Sequence, residues 1–212
     1  MILTCNAVLF DVDGTLVDST PLVERAAREW AAEYGIDPDE FLSDAHGRRT
    51  SDRVADFLPP DEVREATARL DALEASRTDG ITALPGAMEL LTSMNGLPHA
   101  FVTSMDRAQL KARTEAAGVP LPPVVVTADD VTSGKPDPSG YLQAAGRLGV
   151  PPSDCVVIED APAGIAAGRS AGATVLAVLT SHAQDFLTAA HHIVQDLTRV
   201  AASTDGLHVT TG

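Results

Sequence analysis

Lysine is almost absent from this chain, since only Lys111 and Lys135 occur among its 15 basic residues. Acidic residues number 30, which leaves a formal charge of -15 and an isoelectric point near 4.6. Nucleic acids and anionic membranes are bound through basic patches, so we expect neither as a partner. No apolar run approaches the ~20 residues of a membrane span, and no charged region precedes the short apolar start. We therefore expect neither an anchor nor a signal peptide, and a cytoplasmic location.

Cysteine is equally scarce, with Cys5 and Cys155 standing at the starts of two apolar segments. Small buried thiols fit such positions better than a disulfide or a metal site does. With 212 residues, 44% of them hydrophobic, the chain can bury a sizeable core in one domain, or in a core with a smaller insert. The sequence leaves the oligomeric state open and is compatible with a monomer.

The apolar segments outside the region 16–83 follow a strand and helix alternation. Residues 1–10 predict one strand buried on both faces of a parallel sheet. Further strands are predicted at 99–103, 124–127, 155–158, 174–178 and 192–194, and helices at 85–94, 106–117, 139–148, 163–171 and 197–202. This alternation indicates an α/β fold with right-handed crossovers and a Rossmann-like parallel sheet. The tail from residue 203 is either loose or a small edge strand.

Residues 16–83 differ in character, because helical patterns follow one another there and no strand is predicted between them. The first helix has Thr20 as its expected N-cap and Pro21 at its first position, and Gly35 ends it. Further helices are predicted at 38–45, 51–58 and 60–77. We therefore expect an all-helical insert at 16–83 in an α/β core formed by 1–15 and 84–212.

Polar side chains follow four of the predicted strands at the point where each strand ends. Because parallel strands bring their carboxyl ends to one edge, where ligands bind, these side chains should meet. They are Asp11 and Asp13, Thr103 and Ser104, Lys135, and Glu159 and Asp160. Acidic clusters hold Mg²⁺ through oxygen atoms, and a carboxylate can attack phosphorus. A lysine and hydroxyl donors would offset the negative charge of the transition state, so the set suits phosphoryl transfer.

Each of these signals has a plainer explanation when it is taken alone. The Asp-x-Asp-Gly run is no calcium loop, because Leu16 and Leu22 stand where such a loop needs glycine and glutamate. Lys135 could be a solvated lysine in a proline turn, although its rarity favours a function. Thr103 alone would be a strand-end hydroxyl, and the pair at 159–160 alone would cap the next helix.

The same residues resemble the motifs of the haloacid dehalogenase superfamily of phosphatases, in the branch with a helical cap inserted after the first motif. The resemblance covers nearly the whole chain, and the order and spacing of the motifs make it specific. The four matching segments are Asp11 to Ser19, Val102 to Ser104, Gly134 to Pro138, and Ile158 to Ile165.

The resemblance implies a role for each matching position. Asp11 would be the nucleophile and a metal ligand, while Asp13 would protonate the leaving oxygen, then activate water, and offer its backbone carbonyl to Mg²⁺. Thr103 and Lys135 would grip the transferring phosphoryl group. Asp160 would ligate Mg²⁺, with Glu159 binding it directly or through water.

The loop His46 to Thr50 joins two helices of the insert and could reach over the active site, where its arginines would counter an anionic substrate. We expect Ser104, His46 and Arg49 to contact the substrate, while a solvated charge run is the alternative for the neighbouring arginines Arg48 and Arg53.

Several activities of the superfamily can be weighed on the residues that each requires. A dehalogenase has no use for a second acid, and a phosphonate hydrolase needs a cap lysine that 16–83 lacks. Mutases similar to β-phosphoglucomutase carry a histidine early in the first cap helix, where this chain has Val23. Hydrolysis of a small sugar or polyol phosphate is thus favoured, since segments 46–50, 81–86 and 127–131 resemble phosphatases for such esters. The alternatives are a mutase and a non-catalytic module that binds a phosphorylated metabolite.

Overall fold

The structure is a computed structural model that describes residues 1–43, 47–75, 78–94 and 96–210, and a parallel sheet lies at its centre. In chain order the strands are β1 (Ile2–Leu3), β2 (Ala7–Phe10), β3 (Val17–Asp18), β4 (Thr82–Ala83), β5 (His99–Val102), β6 (Val124–Val126), β7 (Cys155–Glu159), β8 (Thr174–Val178), β9 (His192–Val194), β10 (Val200–Ser203) and β11 (Gly206–Val209). The central sheet has the order β6-β5-β2-β7-β8-β9, and all its neighbouring strands are parallel. The predicted α/β class is confirmed.

Helices cover both faces of this sheet. They are, with those of the insert, α1 (Thr20–Tyr34), α2 (Pro38–Leu42), α3 (Thr50–Ala55), α4 (Pro60–Ala75), α5 (Ala87–Ser93), α6 (Arg107–Ala117), α7 (Ser139–Leu148) and α8 (Pro162–Ser170). Successive side chains of a strand point to opposite faces. Val8 and Phe10 of β2 accordingly join the cluster that holds α5 and α6, while Ala7 and Leu9 join the one that holds α7 and α8. The central strand is thus buried on both sides, as its apolar sequence predicts.

The helices α1 to α4 enclose an apolar cluster of their own around Trp30. The indole ring is fully buried and lies 4.5 Å from the ring of Phe41, centroid to centroid. Its Nε1 donates to the carbonyl oxygen of Ala66 at 2.9 Å, so the polar atom of this large side chain is satisfied. The cluster gives the insert an independent core.

A short two-stranded ribbon connects the insert to the sheet domain, although no strand is predicted there. Val17 pairs with Ala83 and Asp18 with Thr82, so the chain enters and leaves the insert side by side. Two-residue strands are too short to produce an alternating pattern, which is why the sequence does not reveal them. The expected domain boundaries at 16 and 83 lie at this ribbon.

Both chain ends differ from the sequence prediction, because they meet in a second sheet. The single strand expected at 1–10 is wrong: β1 leaves the central sheet and pairs antiparallel with β11. The helix expected at 197–202 is also wrong, since a 3-10 turn at Leu197–Arg199 leads into β10, which pairs with β11. The segment after residue 203 forms β11, which is the middle strand of the sheet β1-β11-β10. Pairing between segments distant in sequence, rather than local pattern, selects this arrangement.

Both cysteines are free and buried, as the sequence predicts. Burial raises the pKa of the Cys155 thiol to about 11, which keeps it protonated near neutral pH. Across the ranges that the structure covers, no helix is both long and apolar enough to cross a bilayer.

Candidate active site

The carboxyl ends of β2 and β7 place two carboxylates next to each other at one edge of the sheet. Phe10 lies opposite Ile158 in the parallel register, and the backbone N–H of Asp11 continues the pairing by donating to the carbonyl of Ile158 at 3.0 Å. Asp11 and Asp160 therefore leave their strands side by side, and both side chains are buried. The expected meeting of strand ends takes place here.

Lys135 reaches this cluster from the loop before α7 and is itself buried. Its Nζ donates to Oδ1 of Asp11, to Oε1 of Glu159 at 2.7 Å and to the carbonyl of Val102 at 3.3 Å. Burial alone would lower the pKa of the ammonium group, but the charges of the two carboxylates outweigh it and raise that pKa above its ordinary value. The lysine stays charged although it is buried. Its burial excludes the alternative of a solvated lysine in a turn.

Glu159 is fully buried, and both of its carboxylate oxygens are already engaged. Oε1 accepts from Lys135 and from the hydroxyl of Tyr141 at 2.8 Å. Oε2 accepts from the backbone N–H groups of Asp160 and Ala161 at 2.9 and 3.1 Å, ahead of α8. Gly164 makes room for this carboxylate, because a Cβ there would overlap Oε1. Glu159 thus holds Lys135 and the start of α8, and its role as a metal ligand stays a prediction.

One oxygen of Asp11 and one of Asp160 have no hydrogen-bond partner within the described part of the chain. These two atoms are Oδ2 in each residue; Oδ1 of Asp160 accepts from the hydroxyl of Thr15 at 3.1 Å. Burial raises the pKa of Asp11 well above its usual range, and the charge of Lys135 opposes that shift. Burial, followed by the charge of Glu159, raises the pKa of Asp160 to about 7.

The donor set of this cluster fits a hard divalent cation. Asp11, Glu159 and Asp160 each offer a carboxylate oxygen, and these atoms lie within 4.8 Å of one another. Buried, unpartnered carboxylate oxygens are unfavourable unless a positive group meets them. Magnesium typically uses one or two protein carboxylates and completes its shell with water and phosphate oxygens. The two orphaned oxygens of Asp11 and Asp160 match that demand.

Gly14 permits the tight turn that follows Asp11 and Asp13. Its φ is +79°, in the left-handed region that favours glycine. A Cβ there would also overlap Oδ2 of Asp160 and Oγ of Ser181. Both the backbone conformation and the close approach of Asp160 therefore require glycine.

The side chain of Asp13 lines the same cavity as Asp11 and is held by two residues from outside the sheet. Its Oδ1 accepts from the hydroxyl of Ser19 at 2.8 Å, and its Oδ2 accepts from Nη1 of Arg113. Ser19, rather than the expected Thr20, is the N-cap residue of α1, and its side chain forms no cap hydrogen bond. Asp13 is thus tied to the first helix of the insert and to α6 of the core.

Sequence reasoning missed Arg113, which lies on the buried face of α6. Nη1 contacts Asp13 and Nη2 contacts Glu74 of α4. Burial alone would lower the pKa of this guanidinium, but the charges of Asp13 and Glu74 raise it. The available signal was a charged residue at helical spacing from inward-facing positions, since Arg113 shares the buried face of α6 with Leu110 and Thr114.

Thr103 and Ser104 follow β5 and line the same cavity as Asp11. Oγ1 of Thr103 accepts from the backbone N–H of Met105 at 3.2 Å, which matches the plainer strand-end explanation and leaves its hydroxyl hydrogen available. Ser104 donates to the carbonyl of Gly47 at 2.8 Å, so it contacts the insert loop.

Of the two cap residues that we expect to contact the substrate, the structure describes only Arg49. Arg49 donates to the carbonyls of Val131 and Thr132 at 2.7 and 3.0 Å, which fastens the insert to the core loop before Lys135. His46 lies outside the described residues. The predicted roles of both in substrate binding stay predictions.

The neighbouring arginines of the insert, Arg48 and Arg53, line the cavity above Asp11. Arg48 pairs with Asp56 at 2.7 Å, and the guanidinium of Arg53 lies 4.6 Å from the ring centroid of Phe41. Both cations are thus held by the insert at the roof of an acidic site, where an anionic group would bind.

The family assignment rests on this arrangement together with the sequence. The family model described as haloacid dehalogenase-like hydrolase matches residues 5–172. The chain belongs to the haloacid dehalogenase-like hydrolases. Within that family it is an enzyme of the phosphatase branch.

Relatives and solved structures support the same placement. Hexitol phosphatase A of Escherichia coli is 47% identical over 82% of this chain and 83% of its own length. Glycerol-1-phosphate phosphohydrolase 2 of Saccharomyces cerevisiae is 36% identical over 87% of this chain and 79% of its own. A hydrolase from Pseudomonas syringae superposes with a TM-score of 0.83 at 26% identity, covering 92% of this chain and 94% of that one.

Proposed function

We propose that this haloacid dehalogenase-like enzyme is a Mg²⁺-dependent phosphatase for a small sugar or polyol phosphate, with an aspartyl-phosphate formed on Asp11. The observation that carries the proposal is the pair of buried, unpartnered oxygens on Asp11 and Asp160 beside the charged Lys135. Three carboxylates share one ammonium group there, and a divalent cation would offset the excess negative charge.

In the first step, the carboxylate of Asp11 attacks phosphorus and the bond to the leaving oxygen breaks. Asp13 donates a proton to that oxygen, so the leaving group departs as a neutral alcohol. The ammonium group of Lys135 stabilises the negative charge on the transferring group, and the hydroxyl of Thr103 can donate to it. In the second step, Asp13 accepts a proton from the water that attacks phosphorus, which releases inorganic phosphate and frees Asp11.

Asp11 and Asp160 would hold Mg²⁺, with Glu159 and the backbone carbonyl of Asp13 as further predicted contacts. A bound Mg²⁺ would lower the repulsion between the Asp11 carboxylate and the phosphate and neutralise developing charge. Glu159 would support the site even if it did not bind the metal, because its carboxylate accepts a hydrogen bond from Nζ of Lys135 at 2.7 Å.

The proposed substrate class rests on the relatives and on the cavity. Two relatives are named as a hexitol phosphatase and a glycerol-1-phosphate phosphohydrolase. A third, which is 35% identical, is named as a 2-deoxyglucose-6-phosphate phosphatase. Arg48 and Arg53 place positive charge above the acids, which favours an anionic ester. The cytoplasmic location, and the absence of nucleic acid or membrane partners, stay predictions from composition.

The mutase alternative requires a second acid-base group near the first cap helix. Val23 lines the cavity at that place, and an apolar side chain can move no proton. A non-catalytic binding module would not account for a charged lysine buried between two carboxylates. We therefore propose hydrolysis ahead of both.

Phosphate release from a panel of sugar and polyol phosphates, with and without Mg²⁺, tests the proposal. We expect turnover that EDTA abolishes, and losses of at least about 1,000-fold in kcat for Asp11→Asn and Asp13→Asn. Asp185→Asn, at an exposed position, is the matched control and should retain wild-type turnover. Absence of Mg²⁺-dependent turnover over the whole panel would contradict the proposal, and release of an isomeric sugar phosphate instead of free phosphate would support the mutase.

A further inference from the structure

Glu74 carries a carboxylate oxygen that the proposed chemistry leaves unexplained. The residue lies near the end of α4, is only 6% exposed, and lines the same cavity as Asp11 and Asp13. Its Oε2 is paired with Arg113, but its Oε1 is buried without a hydrogen-bond partner in the described part of the chain. A buried acceptor left unsatisfied is unfavourable, so a donor is expected to reach it.

Among the described residues, several donors that line the cavity with Glu74 bond other acceptors. The Nη1 of Arg113 donates to Asp13, and the hydroxyl of Ser19 donates to Asp13 as well. The amide of Gln109 donates to Asp71 at 3.2 Å. A donor carried by a molecule in the cavity that Glu74 lines would satisfy this oxygen.

The position of Glu74 indicates which part of that molecule it meets. A single guanidinium, that of Arg113, joins Glu74 to Asp13, the proposed acid for the leaving oxygen. The phosphoryl group, by contrast, belongs beside Lys135 and Asp11. A group that contacts Oε1 of Glu74 consequently belongs to the alcohol half of the ester, beyond the leaving oxygen.

We propose that Glu74 determines specificity by accepting a hydrogen bond from a hydroxyl of the sugar or polyol leaving group. The inference rests on the proposed phosphatase function and adds the residue that distinguishes a hydroxylated ester from an alkyl one. A site built to bond a substrate hydroxyl discriminates strongly against an analogue without it, because its own polar group then stays buried and unpaired. Arg113 balances the charge of Glu74 through the ion pair between them.

Two pairs of esters of matched length test this inference: glycerol 1-phosphate against propyl phosphate, and sorbitol 6-phosphate against hexyl phosphate. The readout is the ratio of kcat/KM within the pair that the wild-type enzyme turns over faster. We expect the wild type to prefer the polyol ester by at least about 100-fold. Glu74→Ala should reduce that ratio by at least about 10-fold, beyond any loss of kcat/KM that both esters share through Arg113 and Asp13.

Glu74→Gln keeps the shape of the side chain should the alanine variant fail to fold. The neutral amide oxygen is a weaker acceptor, so we expect the ratio to fall by about 3- to 10-fold. Asp71→Ala is the matched control, because Asp71 lies one turn earlier on α4 and contacts Gln109 but does not line the active-site cavity. Its ratio should equal that of the wild type.

An equal loss for both esters in the Glu74 variants would overturn the inference, because Glu74 would then act only by positioning Arg113 and Asp13. A wild-type enzyme that hydrolyses both members of a pair equally well would overturn it too, while leaving the phosphatase function standing. Failure to hydrolyse any of the four esters would instead count against the phosphatase function and this inference together.

Discussion

Replacement of Lys135 by methionine removes the one cation that pairs with Asp11 and Glu159 among the described residues. Methionine fills a similar volume, so the change is chiefly one of charge. The variant leaves Asp11, Glu159 and Asp160 together without a counter-charge. We expect a loss of both stability and catalysis.

The size of the stability loss follows from the geometry of the ion pairs. At 2.7 Å, the attraction between Lys135 and Glu159 amounts to about 6 kcal/mol at an effective dielectric constant of about 20. Desolvation of the lysine offsets part of it, and broken buried pairs destabilise proteins by about 3–5 kcal/mol. We expect the free energy of unfolding to fall by at least about 3 kcal/mol in Mg²⁺-free buffer. Because Mg²⁺ brings positive charge to the same acids, it should recover part of that loss.

Urea unfolding with and without Mg²⁺, together with phosphate release, measures both effects. Lys111→Met is the matched control, since it removes the only other lysine, an exposed one paired with Glu115 on the same helix. It should change stability by less than about 0.5 kcal/mol and leave turnover intact. For Lys135→Met we expect kcat to fall at least about 100-fold. Stability within about 0.5 kcal/mol of the wild type, or near-normal turnover, would refute the assigned role.

Two further substitutions probe the backbone turn and a supporting ion pair. Gly14→Ala should reduce kcat by at least about 100-fold, because the new Cβ overlaps Asp160. Gly80→Ala, at a similar φ of +87° but with open space around it, should cost only stability, by about 1 kcal/mol; equal activity in the two variants would contradict the steric argument. Hydrogen bonds from Arg147 and Thr127 lower the pKa of Asp130 to about 2, so its stabilisation is present above about pH 4 and lost as the pH falls through 2. Asp130→Asn should therefore destabilise by about 1–2 kcal/mol in urea unfolding at pH 7, a difference that narrows between pH 4 and pH 2.5; a difference independent of pH would contradict the pKa shift.

The residues at the sheet edge could be predicted because one topological rule governs them. Asp11, Thr103 and Asp160 each follow an apolar segment, and parallel strands bring such positions together whatever lies between them. Lys135 was added by its rarity and by the resemblance to family motifs. Local sequence therefore contained enough information to predict that these side chains meet.

The contacts between insert and core could not be predicted in the same way. Arg113 and Glu74 lie 39 positions apart on two separate helices, and their pairing depends on how α4 packs against α6. Glu159 was expected as a ligand, but the neighbours that occupy its oxygens come from another helix and from its own backbone turn. Such partners follow from tertiary packing, which no local pattern encodes.

The terminal strands show the same limit on a larger scale. The small and apolar residues of Val200–Ser203 are compatible with either helix or strand, and only pairing with Gly206–Val209 decides between them. The strand Ile2–Leu3 also pairs with Gly206–Val209, although its apolar sequence predicts that it is part of the first central strand.

The most direct test of the central claim is to trap the covalent intermediate in a single turnover. Enzyme is mixed with a polyol phosphate and Mg²⁺, quenched in milliseconds and reduced with borohydride, which converts an aspartyl-phosphate to homoserine. Peptide mass spectrometry should locate homoserine at position 11, at a level that rises and decays with the turnover rate, and none should form in Asp11→Asn. Phosphate release without any modified Asp11, or modification at Asp13 instead, would contradict the account.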